Sequence, residues 1–237
     1  MKTSALWVYL STTPLFWLTV TLIAWMLADA LSVRLGRHPL ANPIVLAIAL
    51  LAVLLMVTGT DYQVYFDGAQ FVHFLLGPAT VALAVPLYRN LALVRRNVLP
   101  MLTALAVGSV VAVVSAVGIA EAMHLPRPLL ASIAPKSVTT GIAMAVSEHL
   151  GGIPSLTAAL VLITGIIGAV TVTPLMNALG IRDYAARGFA AGLASHGLGT
   201  ARAFSVNPVA GTFAGIAMGL NALATAVLVP LLLRLFQ

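Results

Sequence analysis

Apolar runs long enough to cross a lipid bilayer recur along the whole of this 237-residue chain and constrain its fold more than any other feature. The runs lie at about 6–31, 41–60, 69–88, 98–123, 153–178 and 207–235. Only 8% of the residues are charged and 61% are hydrophobic, whereas soluble domains are roughly a quarter charged. We therefore expect an all-α, polytopic membrane protein.

The loops between the first four runs alternate in charge. The first and third are basic, with Arg34 and Arg37 in one and Arg89, Arg95 and Arg96 in the other, and the second carries Asp61 and Asp67. The positive-inside rule places the basic loops in the cytoplasm and predicts that the N- and C-termini lie outside, on the periplasmic side. The first apolar run exceeds the roughly 7–15 residues of a signal-peptide core, so we interpret it as an uncleaved span of a multi-pass inner (plasma) membrane protein.

Two further segments, 128–152 and 187–205, are apolar but interrupted near their middles by polar and small residues. The first interruption runs from Pro135 to Gly141, and the second from Ser195 to Thr200. Irregular backbone at membrane depth leaves N–H and C=O groups without partners, which is costly against hydrocarbon. Such breaks persist only where protein or a water-filled cavity supplies those partners, so we interpret them as the candidate functional site.

The two interrupted segments align with each other without a gap at an offset of 58 residues. Five of eleven positions are identical: Ser137 with Ser195, Gly141 with Gly199, Ala143 with Ala201, Ala145 with Ala203, and Ser147 with Ser205. If each segment is a hairpin, the single span between them makes the two enter from opposite faces, as in the inverted repeats of many secondary transporters. Chance similarity of small-residue helices is one alternative, and discontinuous helices that cross the bilayer are another.

The predicted fold is an all-α bundle of six full transmembrane helices plus two broken or re-entrant helical segments, with a transporter-like inverted repeat. If the broken segments cross the bilayer, the count becomes eight crossings. We expect a single transmembrane domain over residues 1–237, in which 1–127 contains the N-terminal spans and 128–237 contains both broken segments.

Polar and cationic residues at the breaks predict a positive site suited to a small carboxylate. Ser137, Thr139 and Thr140 stand at the start of a predicted helix, where free N–H groups and the positive end of the helix dipole attract anions. Lys136 and Arg202 add charge, and a cation buried in a membrane by default marks a pathway. Helix capping alone by the hydroxyl residues and snorkelling of the two cations to an interface are the alternatives.

The second break also contains His196, a candidate proton relay because imidazole titrates near neutral pH. A hydrogen-bonded packing histidine is the alternative. The full set of candidate substrate-binding residues is Lys136, Ser137, Thr139, Thr140, Ser195, His196, Gly199, Thr200 and Arg202. Glycines recur at four-residue spacing in two sets, Gly188 with Gly192 and Gly211 with Gly215 and Gly219. We interpret both sets instead as positions where helices approach closely, within the chain or between subunits.

The composition argues against several other classes of protein. The chain has no cysteine, which excludes disulfides, thiol catalysis and Cys-based metal sites. Its net charge of +6 comes from scattered Lys and Arg residues and forms no stripe that would track phosphates, so we expect no nucleic-acid partner. The adjacent Ser195 and His196 have no convincing third member of a catalytic triad. We therefore expect no enzymatic activity, no cofactor and no metal site.

Three blocks of the sequence resemble the signature blocks of the LrgB/CidB family of bacterial inner-membrane proteins. They are PKSVTTGIAMAVSEHLGGIPSLTA at 135–158, RGFAAGLASHGLGTARAF at 187–204 and LGPATVALAVPLYRN at 76–90. The resemblance implies an antiholin-like or holin-like protein that modulates murein hydrolase activity and cell lysis, beside a smaller LrgA/CidA-type membrane protein. It also implies a link to small monocarboxylates, since members are associated with pyruvate in bacteria and with glycolate and glycerate in a plastid translocator.

We rank first a secondary transporter or facilitator of small monocarboxylates such as pyruvate, glycolate, glycerate or lactate, with a proton as the candidate coupling ion. A positive, polar site suits a carboxylate carrier, whereas a holin that makes lesions by self-assembly has no need of one. The alternative is an antiholin-like or holin-like regulator of murein hydrolase activity and cell lysis. For both functions we expect a homo-oligomer, and an LrgA/CidA-type partner would be a second protein.

Overall fold

The computed structural model describes residues 14–38, 41–75, 78, 81–82 and 84–234. Within these ranges the chain is helical and contains no β-strand, which confirms the all-α prediction. The helices are α1 (Pro14–Arg34), α2 (Pro43–Thr58), α3 (Tyr62–Phe74), α4 (Ala84–Arg89), α5 (Leu91–Arg96), α6 (Val98–Ala122), α7 (Arg127–Ile133), α8 (Thr140–His149), α9 (Pro154–Ala178), α10 (Tyr184–Val206) and α11 (Pro208–Leu233).

Four of these helices, α1, α6, α9 and α11, are long and apolar enough to cross a membrane. They correspond to four of the six predicted spans. The predicted span 41–60 is present as the shorter α2, of 16 residues. Six full spans therefore stay a prediction, of which the described residues support four.

The predicted span 69–88 does not start where it was expected to, and part of it lies outside the described residues. Its N-terminal portion belongs to α3, which already begins at Tyr62 because the Asp61 carboxylate accepts a hydrogen bond from the Gln63 backbone N–H at 2.7 Å. Asp67 was expected in a loop but lies inside α3, where its carboxylate accepts from the Gln63 side chain at 2.8 Å.

The described residues divide into two compact units, one ending at residue 84 and the other beginning at residue 85. The first unit contains α1, α2 and α3. Trp17 of α1 is fully buried and meets Tyr65 of α3 edge to face, with 5.7 Å between the ring centroids. The Tyr65 hydroxyl also lies 3.2 Å from the Thr21 hydroxyl, so α1 and α3 are joined by both ring packing and a polar contact.

The second unit is built on the three long helices α6, α9 and α11. Helices α6 and α11 run side by side in the same direction. Near their starts Met101 packs in one cluster with Phe213, and near their ends Val117 packs in another with Val229. Two shorter helical segments fill the space around these three helices. Both are the segments that the sequence marks as broken.

The first broken segment is a helical hairpin, here called hairpin 1, of residues 127–153. It consists of α7, a turn at 134–139 and α8. The hairpin is closed at its base by a hydrogen bond of 2.8 Å from the Ile153 backbone N–H to the Ser132 hydroxyl. Its base packs against the C-terminal end of α11, where Val146 and Leu150 meet Val229.

The second broken segment, hairpin 2, is α10 itself. Ser195 and His196 have non-helical backbone angles and divide it into α10a, residues 184–194, and α10b, residues 197–206. Helix α10a runs along α11 in the same direction, since Gly188 lies against Ala210 and Gly192 against Ala214. After the kink the chain doubles back. The Thr200 hydroxyl lies 3.9 Å from Met218 Sδ, and the Phe204 ring lies against Gly211, nearer the start of α11.

The two hairpins therefore start from opposite ends of α11 and extend towards its middle. Hairpin 1 has its base beside Val229, and hairpin 2 has its base beside Ala210. Both segments fold back on themselves, in agreement with the hairpin interpretation of the two breaks. The inverted repeat suggested by the sequence offset stays a prediction.

Candidate functional site

The tips of the two hairpins meet at one side chain, Asn221 of α11. Its amide nitrogen donates to the Ser137 carbonyl at 3.3 Å, at the tip of hairpin 1, and to the Leu193 carbonyl at 3.0 Å, just before the kink of hairpin 2. Its amide oxygen accepts from the hydroxyls of Ser109, at 2.7 Å, and Thr225, at 3.4 Å. Asn221 is only 1% exposed, so this network lies in the interior of the second unit.

Val161 of α9 is a second point of contact between the hairpins. Its side chain is buried with Val138 and Ala143 of hairpin 1. Its carbonyl oxygen lies 3.0 Å from Nε2 of His196 in hairpin 2. Because a carbonyl can only accept, His196 carries a proton on Nε2. Its hydrogen-bonded packing is thus established, and its role as a proton relay stays a prediction.

Two glycines of α9 make room for the kink of hairpin 2. A Cβ atom at Gly165 would lie 2.8 Å from Nε2 of His196, and one at Gly168 would overlap the Ser195 hydroxyl. Ser195 is 1% exposed, and its hydroxyl has no hydrogen-bond partner among the residues that the structure describes. Buried polar groups without partners are rare and costly, which makes Ser195 the most unusual polar group at the kink.

The candidate residues of the first break occupy the tip of hairpin 1. Lys136 is half-buried, with its ammonium 3.5 Å from the Ser137 hydroxyl. Thr139 occupies the N-cap position of α8 but makes no capping bond with its side chain, so capping does not explain why a threonine stands there. Thr140, the first residue of α8, is exposed. The start of a helix at this break is as the sequence predicts.

The candidate residues of the second break line the inner side of α10b. Gly199 lies against the Ala191 carbonyl of α10a, where a larger side chain would collide with the backbone. The Thr200 hydroxyl donates to the His196 carbonyl at 2.8 Å. Arg202 is 5% exposed and lies further from the tip. Gly199, Thr200 and Arg202 are all buried, as are Ser195 and His196 of the same break.

Arg202 borders a small cavity near the base of hairpin 2, together with Arg187. Arg187 is held by α9, since its guanidinium donates to the Thr173 carbonyl at 3.3 Å and to the Asn177 side chain at 2.8 Å. The cavity has a volume of about 20 Å³, enough for roughly one water molecule, and its walls are almost wholly carbon. Lys136 does not line it, so the two predicted cations do not meet there.

Asn221 and Ser109 are the functional candidates that the sequence interpretation missed. Both are lone polar residues inside apolar runs and form no motif. The available signal was their position, because a polar side chain in the middle of a spanning helix commonly bonds across to neighbouring elements. In the described part of the chain, no group of three or more His, Asp and Glu side chains is arranged to hold a metal ion.

The fold and the site together define a class of protein: a helical membrane protein in which two oppositely directed helical hairpins meet beside a buried asparagine. The chain belongs to the LrgB-like family, whose sequence pattern matches residues 21–235. The resemblance in the three sequence blocks is thereby confirmed.

Relatives align over most of their length. The holin-like protein CidB of Staphylococcus epidermidis is 30% identical over 200 residues, which cover 84% of this chain and 87% of that protein. The antiholin-like protein LrgB of Bacillus mycoides is 31% identical over 219 residues, or 92% and 95% of the two chains. The uncharacterised protein YwbG of Bacillus subtilis is 37% identical over 192 residues, or 81% and 85%. No solved structure matches the chain.

Proposed function

We propose that this protein is an antiholin-like or holin-like regulator of murein hydrolase activity and cell lysis in the inner (plasma) membrane. The observation that carries this proposal is its family membership, shared with relatives named holin-like protein CidB and antiholin-like protein LrgB. Those relatives align over 87% and 95% of their own lengths, so the similarity extends well beyond a short motif.

The exposed faces of the long helices suit a protein that assembles with other chains in the membrane. Large apolar side chains lie exposed on α6 and α9, among them Val107, Val111, Ile163 and Ile167. In a bilayer such a surface faces lipid or another helix, and helices associate there through shape and polar contacts. We therefore place oligomerisation, and an LrgA/CidA-type partner, at the centre of the proposed regulation.

Dye release from liposomes tests the proposal. The purified protein is reconstituted at increasing density into vesicles loaded with a self-quenching dye, with and without a CidA-type partner. Holin-like activity predicts release that rises more steeply than protein density, because a lesion needs several copies. Antiholin-like activity predicts suppression of release caused by the partner. Absence of both effects at every density would contradict the proposal.

A second candidate function is transport of a small monocarboxylate, and a specific observation favours it. The start of α10b lies at the buried tip of hairpin 2, so its N-terminus presents N–H groups to the interior of the second unit, whereas the start of α8 at Thr140 is exposed. The buried Ser195 hydroxyl, which has no hydrogen-bond partner among the described residues, lies beside the α10b N-terminus. Opposed hairpins of this kind are consistent with the inverted-repeat architecture of secondary transporters.

The transport function requires the hairpins to move. The cavity beside Arg202 holds roughly one water molecule, and ligand pockets are usually about 300–1,000 Å³. A carboxylate would therefore bind only after hairpin 2 shifts relative to α9 and α11. In this proposal the Arg202 guanidinium and the α10b N-terminus supply the positive charge that the substrate meets.

Uptake of radiolabelled pyruvate, glycolate and lactate into the same vesicles separates the two functions. Transport predicts saturable uptake that falls by about tenfold in Arg202→Met, which removes a charge-assisted hydrogen bond to the substrate, but not in Lys136→Ala, because Lys136 does not line the cavity. Arg202→Met keeps most of the buried stem, which limits the loss of packing. Lesion formation predicts dye release that these two variants leave unchanged. Absence of saturable uptake, with or without the partner, rules out transport.

A further inference from the structure

Asn221 donates to two backbone carbonyls at places where the helices of the hairpins are interrupted. Ser137 lies in the turn between α7 and α8, outside any helix. Leu193 lies in the last turn of α10a, which ends because Ser195 and His196 leave the helical conformation. Carbonyls at such positions lack the amide partner found in a continuous helix. Asn221 donates to both, at 3.3 Å and 3.0 Å.

The other half of the same side chain is fixed by α6. The Ser109 hydroxyl donates to the Asn221 amide oxygen at 2.7 Å, which sets the orientation of the amide and directs both of its N–H groups at the hairpins. Both polar atoms of Asn221 are therefore bonded, inside a region where an unbonded polar group would be costly.

We propose that Asn221 is a positioning residue that links the two hairpins, so that their tips stay together only while both of its carbonyl hydrogen bonds are intact. The hairpins then form one coupled gate across the middle of the second unit. Movement of either tip is opposed by its bond to Asn221, because a tip that leaves loses the hydrogen bond to its carbonyl. The proposal concerns tip separation itself and rests on neither of the two candidate functions.

The remaining contacts allow this coupling to be tested without unfolding the bundle. Val161 still packs against Val138 and bonds His196 when Asn221 is replaced. Leucine has nearly the shape of asparagine but lacks the donors. Asn221→Leu therefore removes the polar link and keeps most of the packing.

The experiment measures the spacing of the tips with paired spin labels. The chain has no cysteine, so Thr140→Cys and Ala194→Cys provide two unique labels at exposed positions close to the tips. Dipolar coupling is recorded by electron paramagnetic resonance in vesicles. The matched control is Thr212→Val, which removes a buried hydroxyl from the same helix. In the parent protein that hydroxyl bonds the Pro208 carbonyl and the Asn90 side chain and neither hairpin tip.

Coupling by Asn221 predicts one short label separation in the doubly labelled protein and in Thr212→Val. In Asn221→Leu, coupling by Asn221 predicts a population of separated tips about tenfold larger than in the parent protein, because two hydrogen bonds to the tips are lost. Unchanged spacing in Asn221→Leu overturns the proposal, as does equal separation in Thr212→Val. If Asn221→Leu does not fold, the same label spacing is measured in Asn221→Ser, which keeps one hydroxyl donor. A partial separation supports the proposal, and unchanged spacing overturns it.

Discussion

His196 adopts backbone angles that residues other than glycine rarely take, with φ of 42° and ψ of −130°. The kink of hairpin 2 depends on this conformation, and the contact of the imidazole with the Val161 carbonyl stabilises it. A histidine in a small-residue stretch is visible in the sequence, but its strained backbone is not, because the kink forms where Ser195 and His196 pack against Gly168 and Gly165 of α9, far away in the sequence.

The strain at His196 predicts an unusual order of stability between two variants. His196→Ala loses the hydrogen bond and keeps the unfavourable φ, whereas His196→Gly loses the bond but relieves the strain. We expect His196→Gly to be the more stable of the two by about 1 kcal/mol, the reverse of the order in an ordinary helix. Thermal unfolding in detergent measures the difference, and a more stable alanine variant would show that position 196 is not strained.

Glycines that look alike in the sequence differ sharply in their surroundings. A Cβ at Gly192 would overlap the Ala214 backbone, whereas a Cβ at Gly219 would meet nothing within 4 Å. The four-residue spacing predicted close helix approach for both sets of glycines. The structure shows that approach between α10a and α11 at Gly188 and Gly192, and the spacing alone does not identify the crowded positions.

We expect Gly192→Ala to destabilise the protein by about 3 kcal/mol, because α10a must move away from fixed backbone atoms of α11. Gly219→Ala is the matched control in the same helix pair. Gly219→Ala should raise the free energy of unfolding by up to about 1 kcal/mol relative to the parent protein, because alanine favours helix more than glycine does. The midpoint of thermal unfolding in detergent compares the two, and equal losses would refute the packing at Gly192.

At the scale of elements, the sequence predicts where the two broken segments lie, but it does not predict the contacts that bring their breaks together. The start of α8 and the break at Ser195 follow from local residue types: hydroxyls, glycines and a proline inside apolar runs. The meeting of both breaks at Asn221 joins residues 84 and 28 positions apart in the chain. No local pattern encodes such a contact, and a single amide in a 26-residue apolar helix gives only a weak signal.

The base of hairpin 1 provides an element-scale prediction. Ser132→Ala leaves the Ile153 backbone N–H without its acceptor, which should cost about 1–3 kcal/mol and loosen the closure of the hairpin. Hydrogen exchange at Ile153 should become about tenfold faster. The control is Ser115→Ala, an exposed serine that bonds only within α6. Unchanged exchange at Ile153 would show that other contacts close the hairpin.

At the scale of the whole molecule, composition and apolar runs were sufficient to predict a helical membrane protein. The predicted start at residue 69 was wrong, because Asp61 starts α3 at Tyr62 and Asp67 is accommodated inside that helix. The ranking of functions also changed. A charged, polar break suggested transport first, whereas the relatives named holin-like and antiholin-like better support regulation of lysis.

The central structural claim is that two hairpins enter the protein from opposite sides and meet at its middle. Single cysteines test it directly in the cysteine-free chain, at the exposed positions His149 near the base of hairpin 1 and Ala186 near the base of hairpin 2. We expect a membrane-impermeant thiol reagent added to intact cells, or to spheroplasts where an outer membrane is present, to label His149→Cys. Ala186→Cys should react only after the plasma membrane is opened, because the basic loop at Arg182 and Arg187 favours the cytoplasm. Labelling of both positions from the same side would contradict the account.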